Sequence, residues 1–315
     1  MGCTGNTKKS NRHSREKLTT VYYTEVAAKA EAAKIAKRPF SVSGVLKRLG
    51  VSRSGYLSFM SRTPSAGQSR RESVKKQIRK IYDESYQNYG ARKIARKLNQ
   101  ADIRISERTV GKYMREMGIK AQWVRPWTRT TLDYDPSEKL HNILNEQFNP
   151  KAPNAAWCSD ITYIWTDEGF VYLTSIMDLF SRKIVAWTLS KTLETEHVIE
   201  TDRKAQAKRN IDKPLIIHSD RGRQYVSKAY REATADMLRS YSLRGYPYDN
   251  ACIESFHAII KREWLHRFRI RDFDHAYRLV FEYIEAFYNT VRIHSHCDYL
   301  SPNNFEKLQA LIAAA

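Results

Sequence analysis

The sequence contains no run of about 18 apolar residues, so no segment of it reads as a membrane-spanning helix. Its start, MGCTGNTKKS, has no apolar stretch of the kind a secretory signal needs. Asn6 stands where an N-myristoylation signal has Ser or Thr. Cysteine is scarce: Cys3, Cys158, Cys252 and Cys297 form no C-x-x-C pair, which excludes a zinc ribbon or disulfide framework and fits a reducing compartment. His294, His296 and Cys297 crowd together, but no second ligand pair lies at zinc spacing. Acidic residues are scarce in one half only. Residues 1–130 hold 30 Lys and Arg against 9 Asp and Glu, whereas residues 131–315 hold 24 against 25. The front of the chain is thus a polycation, for which nucleic acid is the commonest partner. A soluble, cytoplasmic protein with no membrane partner is expected. At 315 residues it has room for about two domains and a sizeable core.

Residues 1–20 are polar and basic and are expected to form a disordered tail. A helical region, 21–62, follows. In it Val42, Val45, Leu46 and Leu49 share one helical face, Gly50 supplies a turn, and Ser52 caps a second short helix over 52–60. This is a helix-turn-helix pattern, with Arg53 at the start of its second helix. The pattern recurs in 68–120. Ala91, Ile94, Ala95 and Leu98 make an apolar face, and Ser106 caps a helix running to Met117 and closed by Gly118. On that helix Arg108, Lys112 and Arg115 fall in one sector, opposite Val110, Tyr113, Met114 and Met117. A basic stripe opposite an apolar one suits phosphate contact and groove reading. Residues 121–152 read as a linker and a helix. The linker interleaves Trp123 and Trp127 with Lys120, Arg125 and Arg129, which could track a DNA backbone, and Ser137 caps a helix through Phe148.

From 153 to 305 the pattern changes. Residues 157–165, 169–177 and 183–189 are apolar, β-branched runs separated by turns and predict an antiparallel meander. A helix over 194–209 precedes a short apolar strand, 214–218, of the kind buried inside a sheet. Helices are expected at 226–238, 250–265 and 273–290, and 306–315 form a tail. The order is mixed α/β, with the fourth strand returning beside the first.

Those two strands each carry an aspartate next to their apolar run, Asp160 in WCSDITY and Asp220 in IIHSDRG. Two carboxylates near the middle of a sheet are costly unless a cation neutralises them. Oxygen ligands with open coordination positions suit Mg²⁺ or Mn²⁺. Glu254 is the candidate for a third carboxylate, on a helix that Asp249 would cap. Three carboxylates holding two ions would activate a nucleophile and stabilise a leaving oxygen at a phosphodiester. Lys261, two helical turns beyond Glu254, could pair with a neighbouring phosphate.

The Asp, Asp, Glu order and the words around it resemble the retroviral-integrase superfamily, and within it the IS-three family of bacterial insertion-sequence transposases. The matching words are WCSDITYI (157–164), GFVYLTSIMDLFSRKIVAW (169–187), HSDRGRQY (218–225), GYPYDNACIESFH (245–257) with KRE (261–263), and YNTVRIHS (288–295) with LSP (300–302). VSRSGY (51–56) and YGARKI (89–94) are similar to the same family's second reading frame. The resemblance covers residues 40–305. It implies an RNase H-like, integrase-type core with a mixed five-stranded sheet, preceded by all-α helix-turn-helix DNA-binding regions. It also implies that Asp160, Asp220 and Glu254 form the metal-binding catalytic triad.

The activity implied is DNA transposition, in which the basic helices bind the element's terminal inverted repeats. The core then cleaves a strand and transfers the freed 3′-OH, first to the other end on the same strand, giving a circle. Double-stranded DNA, as element ends and target, is the expected partner, with at least a dimer of this chain on it in the bacterial nucleoid. No nucleotide cofactor is implied, because transesterification conserves bonds. Two features depart from the family. Only 33 residues separate Asp220 from Glu254, two fewer than usual, and residues 1–40 show no leucine zipper. A DNA-binding regulator or inhibitor of the fused transposase, without catalysis, is the alternative. Among other polar residues in the matching words, Asp178 is expected to bond backbone at a strand end and His218 to be structural or DNA-facing. Tyr225 and Asn250 are expected to shape the pocket and cap. Arg292 is expected to meet DNA or Glu282 and Glu285.

Overall fold

Two serines start the first helices after the N-terminal one. Ser41 accepts the N–H of Gly44 and Ser52 that of Gly55, each at 3.2 Å, which nucleates α2 (Val42–Arg48) and α3 (Arg53–Met60). Between them Gly50 takes the left-handed conformation at φ +63°. The computed structural model in which these features appear describes residues 5–61, 63, 65–122, 140–243 and 247–314. It divides into two units, Met1–Val74 and Lys75–Ala315.

In the first unit α1 (Gly5–Ile35) packs with α2 and α3 around Tyr23, Val26, Leu46 and Tyr56. Tyr23 donates to the carbonyl of Ser52 at 2.9 Å. A Cβ at Gly55 would sit 2.4 Å from the Tyr23 hydroxyl, so the approach requires glycine there. The charge-based expectation of a disordered tail over 1–20 is corrected for residues 5–20, which are helical. No Gly or Pro lies between residues 6 and 35 to stop the helix propagating. The unit boundary falls within α4 (Ala66–Glu84).

The second unit begins with a helical subdomain. α5 (Ala91–Gln100) buries Ile94, Ala95 and Leu98, and α6 (Glu107–Glu116), capped by Ser106, buries Val110 and Met114. Asn99 ties the turn between them, bonding the carbonyls of Ala95 and Ile105 and accepting the N–H of Ile105. This subdomain is anchored on the core that follows. The Tyr89 hydroxyl accepts from the Ile293 N–H at 2.8 Å, Arg267 binds the Tyr86 carbonyl and the Asn88 side chain, and the Tyr86 ring stands edge-on to Trp264 and Phe287.

The core is a five-stranded mixed sheet in the order β3-β2-β1-β4-β5, made of β1 (Ala156–Thr166), β2 (Gly169–Asp178), β3 (Ile184–Ser190), β4 (Ile216–Ser219) and β5 (Leu238–Tyr241). β1 to β3 form the antiparallel meander, and β4 and β5 join in parallel. Trp157, Ile176, Val185, Ile217 and Met237 pack with Ala205 of α7 (Thr195–Lys208), and Tyr225, Tyr230 and Tyr241 fill a second cluster. α10 (Ala251–Glu263) packs on β1 and β2, followed by α11 (Phe273–Phe281), which runs on as a π-helix over Glu282–Tyr288.

Three expectations are corrected. The region expected to be one helix over 226–238 is α8 (Arg223–Val226), α9 (Lys228–Ala233) and the start of β5. The break comes where Ser227 turns extended and caps α9 through the Tyr230 N–H. The helix expected from Ser137 to Phe148 is absent over 140–148, and Ser137 lies outside the described residues. There Ile143 and Leu144 give their N–H groups to Ser240 Oγ, and the His141 carbonyl accepts from Tyr241, so the segment borders β5 instead. The expected tail 306–315 lies largely in α12 (Pro302–Ala314), anchored by Glu306 through Arg209, Lys183 and Ser181.

Candidate active site

The parallel register of β1 and β4 pairs Ala156 with Ile216, Trp157 with Ile217 and Cys158 with His218. Two residues beyond this pairing stand Asp160, on β1, and Asp220, just past the end of β4. Asp220 lies just past β4 in a turn where its Oδ1 accepts the Gly222 N–H at 2.9 Å. A Cβ on Gly222 would fall 2.9 Å from that oxygen, so glycine gives the carboxylate its room. Arg221 turns away, to the carbonyl of Ser242 at 2.8 Å.

Asp160 faces Ser175 of β2 across the sheet. Over this pair lies His257 of α10, its Nδ1 3.3 Å from Asp160 Oδ2 and its Nε2 3.3 Å from Ser175 Oγ. Glu254 is one helical turn before His257, in the exposed first turn of α10, where the helix dipole favours a carboxylate. The fold thus makes neighbours of β1, which carries Asp160, and β4, which leads into Asp220, and sets Glu254 on the helix that covers Asp160. Among the described residues, however, no three Asp, Glu, His or Cys side chains converge closely enough to enclose an ion. Carboxylate oxygens are by their chemistry ligands for a hard divalent cation.

The surroundings are built from buried polar groups. Tyr225 bonds Ser159 at 3.0 Å, and burial with the charges of Asp160 and Asp220 pushes its hydroxyl far above its ordinary pKa. His218 lies between Ser240 and Ser242, and burial holds it down to about 4, so it is a neutral structural residue. Asp178 accepts from the N–H groups of Asn154 and Phe180, each at 2.9 Å, as a strand-end aspartate should. Neither expected cap of α10 forms. Asp249 accepts from the Leu243 N–H at 2.6 Å, and the buried Asn250 side chain has no hydrogen-bond partner among the described residues. Arg292 meets neither Glu282 nor Glu285 but Glu263, through two bonds of 2.7 Å inside the protein. Cys297 bonds the Ser181 carbonyl and His296 that of Phe180, so this cluster is structural.

Arg53, Arg108, Lys112 and Arg115 are exposed, the last three on α6 opposite its buried face. Arg125 and Arg129 lie outside the described residues. Lys261 is half-buried, its Nζ 4.5 Å from the ring centre of Tyr163. His257 went unmarked in the sequence, although its spacing of three from Glu254 places both on one helical face.

Known proteins match this architecture along most of the chain. Residues 150–243 and 236–302 match family models described as integrase core domain, and residues 69–127 match one described as HTH-like domain. The chain is 37% identical over 250 residues to the transposase for insertion sequence element IS904 of Lactococcus lactis subsp. lactis, covering 79% of this chain and 99% of that one. It is 33% identical over 273 residues to transposase InsF for insertion sequence IS3A of Escherichia coli K12, covering 85% and 94%. Among solved structures, the HTLV-2 integrase catalytic core domain in complex with magnesium aligns over 50% of this chain and 98% of its own at 18% identity and a TM-score of 0.38. The simian T-cell lymphotropic virus intasome in complex with PP2A regulatory subunit B56 gamma aligns over 73% and 74% at 14% identity and a TM-score of 0.42. The five-stranded sheet is therefore an RNase H-like integrase core behind an HTH-like domain, and the chain belongs to the IS3 family of insertion-sequence transposases.

Proposed function

We propose that this chain binds the terminal inverted repeats of an insertion sequence through its basic helices and cleaves and joins DNA strands at the site of Asp160, Asp220 and Glu254. The observation that carries the reading is the parallel pairing of β1, which carries Asp160, with β4, which leads into Asp220, under a helix bearing Glu254. In the first step a water oxygen attacks the phosphorus at the element end, the bond to the 3′ oxygen breaks, and a 3′-OH is released. In the second that 3′-OH attacks another phosphodiester and displaces its 3′ oxygen, so the number of phosphodiester bonds is kept. Asp160, Asp220 and Glu254 would hold two Mg²⁺ or Mn²⁺ ions, which would supply the charge that activates the nucleophile and stabilises the leaving oxygen.

The chain's own groups orient the rest. His257 holds Asp160 Oδ2 from one side, and the Gly222 N–H fixes Asp220 Oδ1. Lys261 offers an ammonium to a phosphate beside the scissile one. The exposed stripe of Arg108, Lys112 and Arg115, with Arg53 in the first unit, contacts the duplex. Arg125 and Arg129, outside the described residues, are further candidates for DNA contact. Two element ends call for at least two subunits, and the reaction belongs in the bacterial cytoplasm at the nucleoid.

The test uses labelled DNA carrying the inverted repeats that flank the gene, with the wild type and the Asp160→Asn, Asp220→Asn and Glu254→Gln variants in Mg²⁺ or Mn²⁺. Metal-dependent nicking and joining by the wild type, lost in each variant while end binding persists, is the expected result. Binding without cleavage by the wild type would assign the chain to regulation instead.

A further inference from the structure

The two helix-turn-helix patterns end in second helices of different chemistry. α3, in the first unit, is pinned along one side. Tyr56 is buried and Phe59 half-buried, and both rings lie against Tyr23 of α1, with ring centres 5.8 and 5.7 Å away. The Tyr23 hydroxyl also holds the Ser52 carbonyl at 2.9 Å, just before the helix starts. At about 100° per residue, Arg53, Ser54, Leu57 and Ser58 fall within about 140° on the other side. All four are exposed, Leu57 by 56%. α3 thus meets solvent with a guanidinium, two hydroxyls and a branched apolar side chain, on a helix fixed from behind by aromatic packing.

α6, in the second unit, presents something else. Its exposed residues are Glu107, Arg108, Lys112, Arg115 and Glu116, all long and charged, with no apolar side chain among them. Such groups suit phosphate oxygens, which position a duplex and carry no sequence information directly.

The surroundings of α3 set the charge of its partner. Residues 32–71 hold nine Lys and Arg and no Asp or Glu. Lys47 and Arg48, which end α2, and Arg53, which begins α3, are all exposed. A partner for this surface must be a polyanion that also offers apolar points. The major groove of duplex DNA is both, with phosphates along its rims and thymine methyl groups on its floor. Guanine there offers O6 and N7 to an arginine fork, and a serine hydroxyl can bond any base pair. Arg53 and Leu57 lie one turn apart, about 6 Å along the helix, which spans roughly two base pairs.

We infer that α3 is the helix that reads the sequence of the element end. Arg53 takes a guanine edge and Leu57 a thymine methyl, with Ser54 and Ser58 beside them, while Arg108, Lys112 and Arg115 of α6 hold phosphates. The inference rests on the proposed binding of terminal repeats and adds to it where the sequence preference resides.

The experiment measures fluorescence anisotropy of the full chain in EDTA, at one salt concentration, with three duplexes. They are the inverted repeat that flanks the gene, the same repeat with uracil in place of every thymine, and a scrambled duplex of equal composition. The wild type should prefer the repeat to the scrambled duplex and lose affinity when the thymine methyls are removed. Arg53→Lys keeps the charge but not the fork, and should cut the preference for the repeat by about fivefold or more. Leu57→Ala should bind the thymine and uracil forms alike. Lys112→Gln should weaken binding to all three duplexes by the same factor. A wild type without preference would overturn the inference, as would a preference undiminished in Arg53→Lys or one lost in Lys112→Gln instead. A thymine-to-uracil difference as large in Leu57→Ala as in the wild type would overturn the role of Leu57. Sedimentation adds a further arm: dissociation of a dimer on Leu57→Ala would give this face to a second copy and overturn the inference too. Because binding is read without metal, a preference carried by α3 with no cleavage in Mg²⁺ keeps the reading helix and loses the strand-cleavage proposal. Cleavage at the element end with a preference that neither α3 variant changes does the reverse.

Discussion

Helix α10 carries a glutamate at each end, and the two stand in opposite surroundings. Glu263, at the last turn, is enclosed: Arg292 donates to both its oxygens at 2.7 Å and Tyr283 donates to one at 2.8 Å. Burial alone would raise its pKa, but the Arg292 charge and bonds, with Lys93 and Tyr283, outweigh that and hold the carboxyl below its ordinary range. Glu254, at the first turn, is exposed and lies on the helix that covers Asp160. One acid is enclosed with a bidentate counter-charge, while the other stands exposed at the opposite end of the helix. A buried carboxylate matched by a guanidinium contributes to the fold, whereas perturbed or exposed carboxylates in a cleft are where chemistry is sought.

Substituting the two ends separately should split function from stability. Glu254→Gln is expected to lower strand cleavage by about 10³-fold or more, with thermal stability unchanged. Arg292→Ala removes the bidentate partner of the buried Glu263, leaving it Tyr283 and the Lys93 charge, and should cost about 3–5 kcal/mol, on the order of 10 °C in Tm. The pH dependence follows from the sign of the shift. Because the folded pKa of Glu263 is depressed, its stabilisation is present above the unfolded value near 4.5 and is lost as pH falls through the folded value. The wild type should therefore lose stability below about pH 4.5 in a step that Arg292→Ala lacks. A Glu254→Gln protein that melts early, or an Arg292→Ala protein that melts with the wild type, would erase the distinction.

Asp202 sharpens it, because it is buried with no cation beside it among the described residues. It lies inside α7, 1% exposed, and neither its oxygens nor the adjacent Tyr230 hydroxyl has a hydrogen-bond partner of good geometry. Burial raises its pKa to about 7, opposed weakly by Tyr230. For a carboxyl raised from 3.8, the folded state is penalised progressively as pH climbs from 3.8 to about 7, and the full penalty stands above that. Asp202→Asn is therefore expected to stabilise the protein by a few kcal/mol at pH 8 and to be near neutral at pH 4, as read from denaturant midpoints. Equal midpoints for the two proteins at pH 8 would show that the carboxyl has found a partner.

What the sequence revealed divides along similar lines. The serine caps at 52 and 106, the meander and the neighbouring strands that carry Asp160 and Asp220 were legible because each follows from contacts within a few residues or from one strand crossover. The Glu263–Arg292 pair joins residues 29 apart, and a cation beside several acids gives no local sign of which it will choose. β5 is only four residues long and includes Arg239 and Ser240, so it lacks the apolar run that marked β4. The segment at 140–148 had a helical composition, but the side chain of Ser240 and the edge of β5 claimed its backbone. His257 was missed for a different reason, since a histidine three residues after a glutamate points to a metal or to packing with equal ease.

The smallest effect is expected where charge is exposed. Lys112 stands in solvent on α6, between Arg108 and Arg115, and the buried Val110 and Met114 on the other face hold the helix in place. Lys112→Gln should leave the melting temperature unchanged, since an isolated surface charge contributes little to folding. Its signature should appear in DNA binding instead. One phosphate contact releases about one counterion, so the slope of log K against log salt should become shallower by about 0.9, with only a few-fold loss of affinity at physiological salt. The loss should also be the same for element-end and unrelated duplexes, because a phosphate contact positions without reading bases. A slope identical to the wild type would take Lys112 off the DNA. A loss confined to element-end DNA would instead mean that this lysine reads bases, and it would move the exposed end of the comparison from positioning to recognition.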